Sequence, residues 1–130
     1  MKHETLRTLT AYATASLNVD FSPPVGATAA IFYWRISAVA GTTPVADLKL
    51  QYEDPTSGQF IDIDGAAFAQ KTAASFQALQ VSPHLTADST GDFLAAKAHL
   101  SRKMRAVFTF DRAEANETYT ATLAVDWLKG

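Results

Sequence analysis

Apolar and polar residues alternate with a period of two along most of this 130-residue chain. In Ala46–Glu53, for example, Leu48, Leu50 and Tyr52 stand between polar or charged residues. Successive side chains of a β-strand point to opposite faces, so this pattern predicts strands that bury one face against a core. The alternation of strands with long helices that builds a parallel sheet is missing, and we therefore expect an all-β chain.

Turn-forming residues separate the alternating segments, which is the pattern of an antiparallel β-sandwich. Asp54–Gly58 predicts a hairpin turn, because it combines a capping aspartate, a proline that fixes φ and a glycine that tolerates positive φ. We predict a single antiparallel β-sandwich of about 7–8 strands over residues 1–130, Ig-like or jelly-roll-like. The main predicted strands are Thr8–Leu17, Ala29–Val39, Ala46–Glu53, Gln59–Asp64, Ser75–Val81, Lys103–Phe110 and Thr118–Leu128.

Two segments fit poorly into a minimal sandwich, an N-terminal arm (about residues 1–10) and a long loop (about residues 85–101). Within the loop, Asp92–Leu100 is compatible with a short helix. Gly65–Gln70 is too short for a stable helix and predicts one helical turn or a β-bulge. Because neither the arm nor the loop is needed to build the core, we expect both to contact other subunits.

The segment Ala29–Val39 is apolar on both faces, with Ile31 and Tyr33 on one side and Phe32 and Trp34 on the other. A strand buried between two layers has this pattern, and so has a strand that a neighbouring subunit covers. Both tryptophans of the chain follow the periodicity of the apolar residues around them. That favours core packing over an exposed platform for carbohydrate.

Composition narrows the function classes. Only 18% of the residues are charged and the net charge is -2, which favours a component of an assembly over a general nucleic-acid binder. The absence of cysteine excludes disulfides, zinc–thiolate sites, iron–sulfur clusters and thiol catalysis. No apolar run approaches the roughly 18 residues of a membrane span, and Met1–Thr5 lacks signal-peptide features. We expect a chain made in the cytoplasm that binds neither nucleic acid nor membrane.

Motifs that carry chemistry are scarce. The chain has no nucleophile elbow, Gly-rich phosphate loop or HExxH motif, and its three histidines are dispersed. Asp62–Gly65 matches the D-x-D-G part of a calcium loop, but Phe68 and Gln70 follow where further oxygen ligands are needed. Alternation with isoleucines explains Asp62 and Asp64 as solvent-facing strand residues, rather than as an ion site or an acid/base pair. We expect no catalytic residues, no metal and no cofactor.

Charge is unevenly placed along the chain. Residues 47–64 hold five acids (Asp47, Glu53, Asp54, Asp62 and Asp64) and one base, whereas residues 97–112 hold five bases (Lys97, Arg102, Lys103, Arg105 and Arg112) and one acid. Solvated faces explain this distribution, and so does electrostatic matching between neighbouring subunits or with a host shell. On the second interpretation the interface residues are Asp47, Glu53, Asp62, Asp64, Lys97, Arg102, Lys103 and Arg105.

Residues 39–51 read V-x-G-T-x-P-x-x-D-x-K-[LI]-Q, and residues 62–70 read D-I-x-G-A-A-F-A-Q. With these motifs, the central part of the chain resembles small structural proteins of tailed bacteriophages. The strand Met104–Phe110 also fits, so the resemblance covers roughly residues 26–128. The alanine-rich segment Leu85–Ser101 departs from the pattern.

The resemblance implies a non-enzymatic component of the virion, made in the host cytoplasm. Its first form is a capsid decoration or cement protein that stabilises the capsid lattice as a homo-oligomer. The expected partners are the major capsid protein, other virion proteins and further copies of this chain. The alternatives are a minor head or tail protein, and a glycan- or receptor-binding module displayed on the virion.

Overall fold

The computed structural model describes residues 2–111 and 116–129, which form two packed β-sheets. The sheets contain nine strands: β1 (Lys2–Tyr12), β2 (Ser16–Phe21), β3 (Ala27–Ala40), β4 (Val45–Glu53), β5 (Phe60–Ala67), β6 (Ser75–Ser82), β7 (Phe93–Lys97), β8 (Met104–Asp111) and β9 (Thr118–Lys129). The five-stranded sheet has the order β1-β9-β3-β6-β7, and the four-stranded sheet has the order β2-β8-β4-β5. The predicted β-sandwich is confirmed, with one or two strands more than expected.

The core lies between the two sheets and is filled by the alternating apolar rows seen in the sequence. On β3 the inward residues are Phe32, Trp34 and Ile36, and all three are buried. Aromatic rings tie the layers together, since the Trp34 ring meets Phe108 of the other sheet edge-on at 5.4 Å between centroids. Phe110 of the four-stranded sheet likewise contacts Tyr119 of the five-stranded sheet, with the two rings stacked at 4.5 Å between centroids. Rings of this size contribute large buried areas, which explains a sandwich without disulfides.

The segment expected as a free N-terminal arm is instead an edge strand. From Lys2 onward it pairs antiparallel with β9, from Lys2 opposite Trp127 to Tyr12 opposite Tyr119. The predicted strand Thr8–Leu17 is wrong as a single element, because the chain crosses from one sheet to the other at residues 13–15. The alanines of this segment alternate with polar residues but carry too little apolar surface to fix a strand's face.

The long loop of residues 85–101 contains a strand where a short helix was considered. Phe93–Lys97 forms β7, which pairs parallel with β6 at the edge of the five-stranded sheet. Its outer edge is covered by the chain itself, since Asp88 and Ala95 exchange two backbone hydrogen bonds of 2.8 and 2.9 Å. Tertiary pairing therefore overrides the helix propensity of the alanines. The described residues contain no helix that could cross a membrane.

The hairpin β4–β5 is confirmed, with Asp54 accepting hydrogen bonds from the Thr56 amide and the Ser57 hydroxyl in its turn. The register of the β4–β5 pair shifts between Gln51–Asp62 and Lys49–Ala67, which places a bulge at the start of Gly65–Gln70, where one helical turn or a β-bulge was predicted. A second bulge lies between Ile36 and Ala38 of β3 and reverses which side chains face inward. Ala38 is exposed for that reason, although simple alternation places it with Trp34.

Candidate interaction surface

The outer faces of the two sheets differ in chemistry. The outer face of the four-stranded sheet carries charged side chains that pair with one another across strands. Arg105 of β8 binds Asp20 of β2 through its Nε at 2.6 Å and also lies 3.7 Å above the ring of Phe60. On the same face, Lys49 of β4 lies 3.1 Å from Asp62 of β5. These side chains therefore compensate part of the charge on this face.

The ion pairs shift the acidities of their carboxyl groups. The hydrogen bond from Arg105 lowers the pKa of Asp20 below its ordinary value, against a smaller opposing effect of burial. Hydrogen bonds from Gln51 and then Lys49 lower the pKa of Asp62 in the same direction. Both carboxylates are thus held in their ionised form by neighbours within the chain.

The eight charged residues predicted to form an interface are divided between the two sheets. The structure brings Glu53 to 3.7 Å from Lys103 and places Arg105 on the adjacent strand. Asp47 accepts a hydrogen bond from Gln70, and Asp62 is held by Lys49. Among the described residues, Asp64, Lys97 and Arg102 have no ion pair, and Lys97 ends β7 on the other sheet. Arg112 lies outside the described residues. The interface role of the eight stays a prediction.

The outer face of the five-stranded sheet is apolar at its centre. Phe76 and Phe93 are large hydrophobic residues exposed by 49% and 52%, and Tyr33 is half-buried beside them. The three surround Ala78, which is opposite Tyr33 on one side and Phe93 on the other and is itself buried. The Phe76 ring stacks on Tyr33 at 6.3 Å between centroids. We call Tyr33, Phe76 and Phe93 the aromatic patch.

Polar groups border the aromatic patch. Asp126 of β9 accepts hydrogen bonds from the Tyr33 hydroxyl at 2.8 Å and from His3 Nδ1 at 2.6 Å. The hydrogen bond from His3, with that from Tyr33, lowers the pKa of Asp126, while the hydrogen bond to Asp126 raises the pKa of Tyr33. Arg35 is exposed directly opposite Phe76 and has no ion pair among the residues that the structure describes. The patch is therefore an apolar centre with hydrogen-bonding groups on its rim.

A second apolar surface lies at one end of the sandwich. It is an open groove of about 610 Å³ between the end of the β4–β5 hairpin and residues 98–101. Tyr52 and Ile61, which are opposite each other in the hairpin, continue its core-facing rows into this groove. Leu100 and His99 form the other wall. The groove contains one large hydrophobic residue that is exposed, Ile61 at 44%. The aromatic patch contains two, Phe76 and Phe93.

The sequence predicted part of this surface. Both tryptophans are buried, which confirms them as core residues. The pattern of β6 placed Phe76 and Ala78 on one face, but alternation alone does not say which face points outward. Phe93 was missed as a site residue because it lies in the segment considered as a helix. The available signal for this surface was Phe76, a large apolar residue that alternation places on the face of β6 opposite that of Leu79 and Val81.

The described residues contain no group of three or more histidine, aspartate or glutamate side chains that could hold a metal ion. Within the D-x-D-G fragment, Asp62 turns to Lys49 and Gln51. His3 is hydrogen-bonded to Asp126 near the start of β1, and His84 and His99 lie on other parts of the molecule. The aromatic patch can bind a partner surface, since it offers exposed rings and hydrogen-bonding side chains in one place.

No family model matches the sequence, and no curated protein matches it closely enough to count as a relative. Solved structures with a similar course of the chain include a carbohydrate-binding module, CBM28, specific for non-crystalline cellulose. It matches 98% of this chain and 73% of its own, with 13% identity and a TM-score of 0.47. The carbohydrate-binding module CBM36, solved with calcium and xylotriose, matches 98% of this chain and 100% of its own, with 10% identity and a TM-score of 0.42.

A viral capsid protein is a further structural neighbour. The VP2 subviral particle of infectious bursal disease virus matches 95% of this chain and 31% of its own chain. The identity is 9% and the TM-score is 0.41. These likenesses concern the arrangement of strands alone.

Proposed function

We propose that this chain is a non-enzymatic structural protein that docks onto a protein shell through the aromatic patch. The observation that carries the proposal is the exposure of Phe76 and Phe93 around the buried Ala78, on a sheet whose other face forms the core. A cluster of exposed rings in a monomer marks an interaction surface, because water-exposed apolar area is unfavourable until a partner covers it. The patch also gives a physical meaning to the two-sided apolar pattern of β3.

The setting that we propose is the virion of a tailed bacteriophage, with the chain as a capsid decoration or cement protein. Its support is the resemblance of residues 39–51 and 62–70 to small phage structural proteins. The partner is the major capsid protein or another virion protein. Docking by rigid strands suits this role, since a sandwich that does not rearrange loses little entropy on binding.

In this proposal the outer faces of the two sheets have different roles. The outer face of the four-stranded sheet is covered by charged side chains, several of them in ion pairs, so it remains hydrated and faces away from the shell. On the opposite sheet, Lys97 lies on the same side of β7 as Phe93 and Arg35 lies opposite Phe76. These cations lie on the docking face together with the Asp126 carboxylate, so the rim can match groups of opposite charge on a shell surface.

The test is binding to virions of the phage that encodes the chain, stripped of the chain or assembled without it. We expect the double variant Phe76→Ser/Phe93→Ser to lose about tenfold or more in affinity, since buried aromatic anchors dominate interface energies. Val25→Ser is the matched control, because Val25 is 98% exposed and lies outside the aromatic patch. Thermal unfolding of each variant shows that the fold is retained. Wild-type binding of the folded double variant would contradict the patch, and failure of the wild type to bind would contradict the virion role.

A second candidate function is glycan binding through the same patch. It is favoured by the Tyr33–Phe76 stack with Arg35 and Asp126 beside it, because sugars bind to ring faces flanked by hydrogen-bonding groups. A glycan array distinguishes the two functions. Binding that is lost in Phe76→Ala and in Arg35→Ala supports the glycan role, whereas an array without any bound glycan removes it.

A further inference from the structure

The connection between β1 and the rest of the molecule holds a strained residue. Ala11 has a φ of +45°, and among the described residues it is the one non-glycine with a positive φ. It lies in the bulge between the pairs Leu9–Ala121 and Tyr12–Tyr119, where its amide donates to the Thr120 hydroxyl at 3.0 Å. The left-handed region is unfavourable for alanine because its Cβ crowds the following carbonyl. The strain sits where β1 ends and the chain turns to the other sheet.

The residues before this strained position are joined to the fold mainly by strand pairing. Within residues 2–9, Leu9 is the one fully buried side chain that the structure describes. Two side-chain hydrogen bonds fix the far end of the strand, His3 to Asp126 at 2.6 Å and Trp127 Nε1 to Glu4 at 3.3 Å. Detaching residues 2–9 withdraws Leu9 and the partly buried Leu6 from the core and leaves an edge of β9 open, and the same segment of another copy restores both.

We propose that residues 2–9 exchange between two copies of the chain, so that this part of β1 in one copy pairs with β9 of the other. The hinge is the segment 10–15, which contains Ala11 and the three exposed residues between β1 and β2. The occupant of the vacated edge is a second copy, because the register is specified by side chains that this sequence supplies. His3 finds Asp126 and Glu4 finds Trp127 in either arrangement.

Exchange replaces each contact of β1 by an identical contact in the partner copy. The two arrangements differ in the hinge and in the entropy of association, so hinge strain decides between them. Opening the hinge frees Ala11 from the left-handed conformation in both copies. The inference does not depend on the aromatic patch, and it gives a physical route by which copies of this chain become linked.

Cysteine cross-linking tests the exchange directly, because the chain has no cysteine of its own. Thr8 and Thr122 lie opposite each other on the outer side of the β1–β9 pair. Asn18 and Val107 lie opposite each other in the β2–β8 pair and form the matched control. The dimer fraction of each double-cysteine variant is isolated by gel filtration, oxidised, and run on a denaturing non-reducing gel.

The exchange predicts covalent dimers for Thr8→Cys/Thr122→Cys and covalent monomers for Asn18→Cys/Val107→Cys. Covalent monomers for both pairs would overturn it, and so would a chain that stays monomeric at about millimolar concentration. Ala11→Gly removes the strain without touching a contact. It should lower the dimerisation constant roughly fivefold per hinge, or about 25-fold per dimer, since a strain of this kind corresponds to a factor of about five. An unchanged constant would contradict the hinge.

Discussion

Asp126 lies where β1, β9 and β3 meet on the face of the aromatic patch. Its carboxylate accepts hydrogen bonds from His3 and Tyr33, and its pKa is held below the ordinary value, first by the His3 hydrogen bond. A carboxyl whose pKa is lowered in the folded state contributes stability above its unfolded pKa. That contribution disappears as the pH falls through the folded pKa. Acid therefore weakens this junction.

We expect Asp126→Asn to cost roughly 1 kcal/mol of unfolding free energy at pH 7, because a charge-assisted hydrogen bond is replaced by a neutral one. The difference between variant and wild type should shrink as the pH falls below about 4, where the carboxyl of the unfolded chain takes up its proton, and should vanish below the lowered pKa of the folded carboxyl. Urea unfolding at pH 7, 5, 4 and 3 measures this. A difference that stays constant down to pH 3 would show that the ionised carboxylate does not stabilise the junction.

Among the elements, the core strands were the most predictable. The inward row of β4 follows from alternation, because Leu48 and Leu50 stand between polar or charged residues and are buried. The bulge in β3 and the crossing at residues 13–15 were not predictable, since small residues such as alanine fit either face. β7 was missed for the same reason, because Leu94 and two alanines satisfy a helix as well as a strand until β6 pairs with them.

The connection between β3 and β4 shows how tightly one element packs on another. A Cβ added to Gly41 would lie 2.7 Å from the Cα of Glu117, and the φ of Gly41 is +105°. We expect Gly41→Ala to destabilise the fold by about 2–3 kcal/mol, because strained backbone and a backbone clash combine.

Gly58→Ala is the control for this prediction, since Gly58 also has a positive φ, +76°, but nothing lies within 4 Å of an added Cβ. It should cost about 1 kcal/mol, the conformational penalty alone. Thermal or urea unfolding compares the two variants at the same pH. Equal losses would mean that the close approach to Glu117 contributes nothing.

For the whole molecule, a net charge of only -2 conceals two outer faces of different chemistry, one charged and one apolar at its centre. The segmental charges seen in the sequence, an acidic hairpin and a basic later segment, meet in part at one end of the four-stranded sheet, where Glu53 of β4 approaches Lys103, which directly precedes β8. The sequence could show these charges but not that they pair within one sheet, because pairing follows from strand order. The aromatic patch depends on strand order in the same way, since it joins residues of β3, β6 and β7.

The position of the chain on the particle tests the docking role most directly. Cryo-electron microscopy of virions that contain it should show the five-stranded sheet against the shell. Phe76 and Phe93 should lie in contact with the major capsid protein or another virion protein, and the four-stranded sheet should face solvent. A particle in which the aromatic patch faces solvent, or virions without the chain, would contradict the proposed function.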